Sequence, residues 1–201
     1  MPRIRAASID EHKAITREAL LGAVKKMIED AGTAEISLGE VALAAGVGRT
    51  TLYDYFSDRD DMIATLVEEE LPHVISELIE SVPKTQSVDR RLADLAAVTV
   101  EFVASDPVFG VILHREVGLM SVDAQERIRK SHAELSTEMA GLYVQGVVDG
   151  LFVSMPPQMA GRLIQDTIMS AARTLIADDR TLRAEEVTDL LRGFLLRGLS
   201  R

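Results

Sequence analysis

The chain has 201 residues, 47% of them hydrophobic and 27% charged, with a formal net charge of −10. That composition is globular rather than disordered, and the acidic balance, taken whole, argues against a nucleic-acid partner. With no cysteine present, disulfides, thiolate metal sites and a cysteine nucleophile are excluded.

The absence of cysteine fits a cytoplasmic protein. Met1-Pro2-Arg3-Ile4-Arg5 is not followed by an apolar run, so no signal peptide is read. No apolar run approaches the ~20 residues of a membrane span. The longest, Leu142 to Val153, is broken by Gln145, Asp149 and two glycines. Charge is unevenly distributed: residues 1–59 hold 8 basic and 9 acidic side chains, residues 60–201 hold 14 and 23. The acid therefore lies mainly in the C-terminal part, and the N-terminal part keeps Arg3, Arg5, Lys13, Arg17, Lys25, Lys26, Arg49 and Arg59 for a helical pattern to gather.

No strand signal occurs, and apolar spacing predicts an all-α chain of about nine helices. The first runs from about Asp10 to Ala31, with Ile15, Ala19, Leu20, Ala23, Val24, Met27, Ile28 and Ala31 stepping by three and four along one face, and ends at Gly32. Ser37-Leu38-Gly39-Glu40 reads as a capping box opening the second, which stops at Gly46. The third spans about Arg49 to Phe56. Asp58 caps the fourth, and Pro72 is expected to kink or end it. Ser81 to Ser87 is the clearest linker. A fifth helix spans about Val88 to Ala104. Asp106-Pro107 starts a sixth, about 107–117, and Ser121 opens a long seventh, about 122–150. Pro156-Pro157 precedes an eighth, about 157–177. Asp178 to Arg180 reads as a turn before the ninth, about 183–199.

The segment that carries function is Ser37 to Phe56, SLGEVALAAGVGRTTLYDYF. Two short helices meet at the tight turn Gly46-Val47-Gly48. Gly46 supplies a left-handed backbone, Val47 packs inside the turn, small Ala42 lets the helices approach, and Leu52 faces the core between them. The opposite face of the third helix then presents Arg49, Thr50, Thr51, Tyr53, Asp54 and Tyr55. A B-form major groove admits one helix, read mostly by its N-terminal residues. Arg49, the threonine hydroxyls and Tyr53 are donors suited to phosphates or base edges.

Other motifs are weaker. Gly46-Val47-Gly48-Arg49-Thr50-Thr51 lacks the last glycine and the lysine of a phosphate-binding loop, and no strand precedes it. His12, His73, His114 and His132 are scattered without metal-ligand spacing, so neither metal nor cofactor is expected. No nucleophile–base arrangement stands out, so no enzyme is expected. Glu68-Glu69-Glu70 reads as a solvated face.

At Thr16-Arg17-Glu18, Ala23, Gly32, Ser37, Val41-Ala42, Ala45-Gly46-Val47, Thr51-Leu52-Tyr53, Tyr55-Phe56 and Arg59-Asp60 the sequence resembles the TetR family of bacterial regulators. The resemblance covers about residues 13–65; beyond that only the helix pattern agrees. It implies an N-terminal DNA-binding domain (1–60) and a C-terminal ligand-binding and dimerisation domain (61–201). It also implies a repressor released by a small ligand, with Ser37 and Arg59 joining the helix-three residues at double-stranded operator DNA. Two departures bear on the base contacts. Gly48 stands where a serine-like cap is usual. Asp54 replaces a neutral or basic residue: it is either a specificity residue, accepting from cytosine N4, or is held aside by a basic neighbour.

Two further sites are expected. Phe102, Phe109, Leu113, Met120, Met139, Leu142 and Tyr143 could line an apolar cavity, with His114, Arg115 and Glu101 as polar anchors. The last two helices carry apolar doublets at each turn: Leu163-Ile164, Thr167-Ile168, Ala171-Ala172, Leu175-Ile176, and Leu190-Leu191, Phe194-Leu195. One chain would struggle to cover both stripes, so a homodimeric four-helix bundle is expected. The alternative is a helical small-molecule binder whose helix-turn-helix has lost operator affinity.

Overall fold

The computed structural model describes residues 6–176 and 182–201, with side chains from residue 11 onward. The arm with Arg3 and Arg5 and the turn expected at Asp178 to Arg180 lie outside the described residues. Ten helical segments account for the described chain: α1 (Ala6–Ala31), α2 (Leu38–Ala44), α3 (Arg49–Tyr53), α4 (Arg59–Ser81), α5 (Val88–Ser105), α6 (Phe109–Leu119), α7 (Val122–Ser131), α8 (Ala133–Val148), α9 (Pro157–Ile176) and α10 (Ala184–Leu199). No strand forms among the described residues; one antiparallel bridge joins Phe152 to Ser200.

The α1 stripe is narrower than its apolar composition implies. Leu20, Val24 and Ile28 are fully buried and Thr16 nearly so, whereas Ile15, expected inward, is 58% exposed. The four-residue step from Thr16 to Ile28 holds the buried line, and Ile15 falls to one side of it. Full burial of each such aliphatic side chain stabilises by about 1.5–3 kcal/mol. The expected capping box at Ser37 does not form: Ser37 stands at the N-cap with extended backbone, but its hydroxyl makes no capping hydrogen bond. Asp58 does cap α4, accepting from the Asp61 N–H at 2.8 Å.

Helix α4 runs on through Pro72, which neither ends it nor divides it. Met62, Ile63, Leu66, Val67, Leu71 and Ile75, all buried, bind it to the core on both sides of the proline. That packing outweighs the one backbone hydrogen bond that a proline removes.

The long helix expected over 122–150 is two helices, α7 and α8, broken at His132. The cause is local. The His132 ring Nδ1 lies 2.7 Å from the Ile128 carbonyl, the acceptor its own backbone N–H would use in a continuous helix. The displaced N–H donates to Arg129 instead, at 3.3 Å. Segment α6 turns away from α5 by 103°. The Asp106 carboxylate starts it by accepting from the Val108 and Phe109 N–H groups at 2.9 and 2.7 Å. It then widens to a π-turn at Ile112–Glu116 and tightens to a 3-10 turn at Val117–Leu119.

In the C-terminal region α5 is central, packed by α8, α9 and α10. The chain end is tied down: the Val153 N–H donates to Leu199 at 2.8 Å, and the Arg201 N–H donates to Leu151 at 3.2 Å. Phe152 stacks on Tyr143 with ring centres 6.0 Å apart. Gly146 makes room for it, since a Cβ there would sit 2.2 Å from the Phe152 ring.

Candidate nucleic-acid interface

The turn between α2 and α3 is closed by the chain itself. Gly46 sits at φ +70°, which favours glycine. The Gly46 N–H donates to Leu43 at 3.1 Å and the Val47 N–H to Ala42 at 2.9 Å. This pair of bonds is the Schellman arrangement, which satisfies the last carbonyls of a helix. Ala42, Leu52 and Phe56 are buried beneath the turn and Val47 packs against the core, so the angle between the two helices is set by packing.

With Leu52 and Phe56 inward, Ser37, Arg49, Thr50, Tyr53 and Asp54 are exposed on one side. Thr51 and Tyr55 are half-buried, and Tyr55 rests against the core. The Arg49 guanidinium lies over the start of α2: a Cβ at Gly39 would be 3.9 Å from its Cζ and 3.6 Å from the Ser37 hydroxyl. Of the two alternatives for Asp54, restraint by a basic neighbour is not seen, because no ion pair engages it among the described residues. Arg59 is engaged within the chain. Its Nε donates to the Ala34 carbonyl at 2.5 Å and its Nη2 to Glu116 at 2.6 Å. Two other basic residues are likewise engaged: Arg17 pairs with Glu69, and Lys25 with Glu70 at 2.5 Å, both joining α1 to α4.

Apolar periodicity does not record the seam between the N-terminal helices and the rest. Three consecutive residues of the first α4 turn each hold a different downstream segment. Arg59 takes Glu116 in α6, Asp60 accepts from the Ser121 N–H at 2.7 Å, and Asp61 pairs with Arg127 of α7 at 2.7 Å. Arg127 also donates to Thr65 and to both oxygens of Glu68. The Glu68 hydrogen bonds hold the Arg127 pKa above its ordinary value. Burial alone would raise the Asp61 pKa. The Ser57 N–H and Arg127 outweigh it and hold the carboxyl below the usual carboxylate range. A polar cleft of about 270 Å³ opens here, lined by Ser57, Asp58, Asp61, Ser121, Asp123 and Arg127. One signal existed for Glu116: it continues the inward line of Phe109 and Ile112, where a charge demands a partner.

The residues expected around an apolar cavity pack against one another. Phe109, Met120, Met139, Leu142 and Tyr143 are buried in one continuous core, with Phe102, Leu113 and His114 half-buried beside it. Phe102 and Phe109 meet at 5.7 Å. The Tyr143 hydroxyl is fully engaged, donating to the Val153 carbonyl at 2.9 Å and accepting from the Met155 N–H at 3.0 Å, so it is a structural tie. Arg115 and Glu101, expected as anchors, are exposed.

The apolar doublets of α9 and α10 divide. Ile164, Ile168, Ala172 and Leu175 of α9, and Leu191 and Leu195 of α10, are buried within the chain. They already pack in the protomer's own core, which leaves little of them to meet a second copy. Ala171 is half-buried, and Leu163, Leu190 and Phe194 are exposed, joined by Met159 one turn before Leu163.

Two family descriptions match the chain: "Bacterial regulatory proteins, tetR family" over residues 20–66 and "Tetracyclin repressor-like, C-terminal domain" over residues 85–199. The HTH-type transcriptional repressor LfrR of Mycolicibacterium smegmatis is 43% identical over 51 residues, 25% of this chain and 26% of that protein. The transcriptional regulator FadR from Bacillus subtilis, solved with stearoyl-CoA, superposes with a TM-score of 0.76 at 18% identity, covering 90% of this chain and 98% of that one. AibR, solved with isovaleryl coenzyme A and operator DNA, gives 0.70 at 16% identity over 90% and 98%. No single described helix is long and apolar enough to cross a membrane.

Proposed function

The chain belongs to the TetR family of bacterial transcriptional regulators, and from that premise we propose that it works as a homodimeric repressor released from a pseudo-palindromic operator by a small, mainly apolar ligand. The observation that carries the reading is the α3 face. Leu52 anchors the helix from below, while Arg49, Thr50, Tyr53 and Asp54 stand free of the core. In this reading Arg49 and Tyr53 serve phosphates or base edges, Asp54 reads cytosine, and Ser37 beside the Arg49 guanidinium adds a second donor to the same stretch of backbone.

Dimerisation follows from the outward half of the doublets. Met159 and Leu163 on α9, and Leu190 and Phe194 on α10, form two short apolar stripes on the outer sides of neighbouring helices. A two-fold axis through them would pair the four helices and set two recognition helices on one duplex, with half-sites about 34–36 Å apart. In this reading the effector enters the core between α5, α6 and α8. Phe102, Phe109, Leu113, Met120 and Met139 form an adaptable apolar wall there, and His114 supplies a half-buried polar group. Both acyl-CoA-bound structures above share this fold, which favours a ligand with an acyl chain. The protein would act in the cytoplasm and catalyse nothing.

Selection of operators from random duplexes, followed by fluorescence anisotropy with and without stearoyl-CoA, isovaleryl-CoA and resorcinol, tests the reading. The expected result is a two-fold symmetric consensus and at least one compound that weakens binding. Selection that returns no symmetric consensus would refute the repressor reading and leave the small-molecule binder in its place.

A further inference from the structure

We propose that Arg59 and Glu116 form a latch through which the packing of the α6 π-turn sets the order of the helix-turn-helix. The proposal deepens the DNA-binding reading above and rests on it.

Glu116 is the one buried charged residue among the described residues, at 7% exposure. A buried carboxylate is stable only while it is paired. Its partner reaches it from across the seam. Arg59 is the first residue of α4, and its guanidinium has two engaged edges: Nη2 on Glu116 at 2.6 Å and Nε on the Ala34 carbonyl at 2.5 Å. Ala34 lies in the connector between α1 and α2, just before Ser37. The guanidinium therefore joins three segments: the connector that leads into the helix-turn-helix, the start of α4, and the end of the π-turn.

The π-turn makes the joint a switch rather than a fixed tie. Ile112–Glu116 is wound with about one residue more per turn than an α-helix, and such single turns are frequent at functional sites. Each residue of an α-helix advances by about 100°. Conversion of the π-turn to α would therefore rotate Glu116 by roughly that angle, away from Arg59. Phe109 and Ile112, before and at the start of the turn, are buried in the core at 1% and 0% exposure. Anything that displaces Phe109 or Ile112 changes where Glu116 points. Arg59 then loses its buried partner, the Ala34 carbonyl loses its donor, and the connector loosens. The neighbouring Asp60–Ser121 and Asp61–Arg127 contacts keep α4 on α7 meanwhile, so the change stays at the connector.

Glu116→Gln removes the charge while keeping shape and burial. Arg59→Lys keeps a cation beside Glu116 but, with a single ammonium in place of a planar fork, cannot hold both acceptors. The measurements are hydrogen–deuterium exchange by mass spectrometry on the whole protein, and anisotropy titration of a duplex selected with the wild type. Both variants are expected to speed exchange across residues 33–38, to leave exchange in α10 at the wild-type rate, and to weaken duplex binding by about tenfold. A purely structural ion pair would raise exchange around Glu116 and leave the connector alone. Unchanged exchange across 33–38 in either variant overturns the latch, as does duplex affinity within twofold of wild type for both. Should Glu116→Gln lose its fold, Arg59→Lys decides alone. Should the wild type bind no selected duplex, the DNA reading fails, and the exchange measurement still judges the latch without DNA.

Discussion

Phe194→Ala separates the two halves of an apolar doublet by what each does. Phe194 is 59% exposed, and its neighbour Leu195 is 4% exposed. An aromatic side chain carries roughly 200 Å² of surface, so the outward part of Phe194 is about 120 Å². In a two-fold interface the same residue is lost from both sides, which doubles the area to about 240 Å². The alanine methyl retains some of it, leaving about 200 Å² of apolar contact removed; at ~25 cal/mol per Å² the dimer loses about 5 kcal/mol. That is three to four powers of ten in the dissociation constant, roughly enough to turn a nanomolar dimer into a micromolar one. Sedimentation velocity across a concentration series reads this directly. Leu191→Ala is the control, because Leu191 is 4% exposed and faces inward. It should remove about 2–5 kcal/mol of folding stability and leave the folded fraction dimeric. A Phe194→Ala dissociation constant within tenfold of wild type would refute the assignment of this stripe to a dimer interface.

Three other outcomes follow from particular residues. Leu52 is fully buried beneath the turn of the helix-turn-helix; Leu52→Ala should cost about 2–5 kcal/mol in guanidinium melts, and a loss below about 1 kcal/mol would contradict its role there. Arg49 carries no ion pair among the described residues, whereas Lys25 is engaged by Glu70. Arg49→Ala should therefore shrink the salt slope of operator binding by about one per protomer, and Lys25→Ala should leave it as it is; equal changes in the two would show that Arg49 makes no phosphate contact. Burial holds the His132 pKa below its ordinary value, with the Ile128 carbonyl opposing in part. The unfolded chain takes up a proton near pH 6.5 that the folded chain resists, so stability is complete above that pH and falls as the pH drops below it. Thermal melts between pH 7.5 and 5.5 should show a steeper decline for wild type than for His132→Gln, and parallel curves would remove His132 as the cause.

The fold was legible where local rules and packing agree. Gly46 is legible as left-handed because helix 2 needs a terminus there, Asp58 as a cap and Ser121 as a helix start; Asp58 and Ser121 both accept from the third N–H beyond them. Legibility failed where a side chain competes with the backbone or tertiary packing overrides a local preference. His132 takes a carbonyl that helix spacing assigns to its own N–H, and nothing in apolar periodicity records that. Pro72 carries a strong local penalty, yet six buried residues around it keep α4 whole. Periodicity also placed both members of each α9 and α10 doublet on one surface. Residues one apart on a helix are separated by about 100°, so in Leu163-Ile164, Leu190-Leu191 and Phe194-Leu195 one member lines the protomer core and the other faces outward.

Charge misled in the opposite sense. The balance of −10 is unchanged by ion pairing, since each pair takes a cation along with its acid; pairing decides instead where the remaining charge lies. Glu68, Asp61, Glu69, Glu70 and Glu116 are each held by an arginine or lysine from another helix. The same pairing removes Arg17, Lys25 and Arg59 from the set of cations that a sequence count assigns to the operator. What remains on the α3 face is one arginine with hydroxyl donors and Asp54 beside it, a surface with modest long-range attraction and strong dependence on local fit. A regulator built this way binds through correct placement of α2 and α3 more than through bulk charge. Placement is what the seam controls, since the residues that would otherwise have supplied attraction to phosphate instead join the helix-turn-helix to α4, α6 and α7.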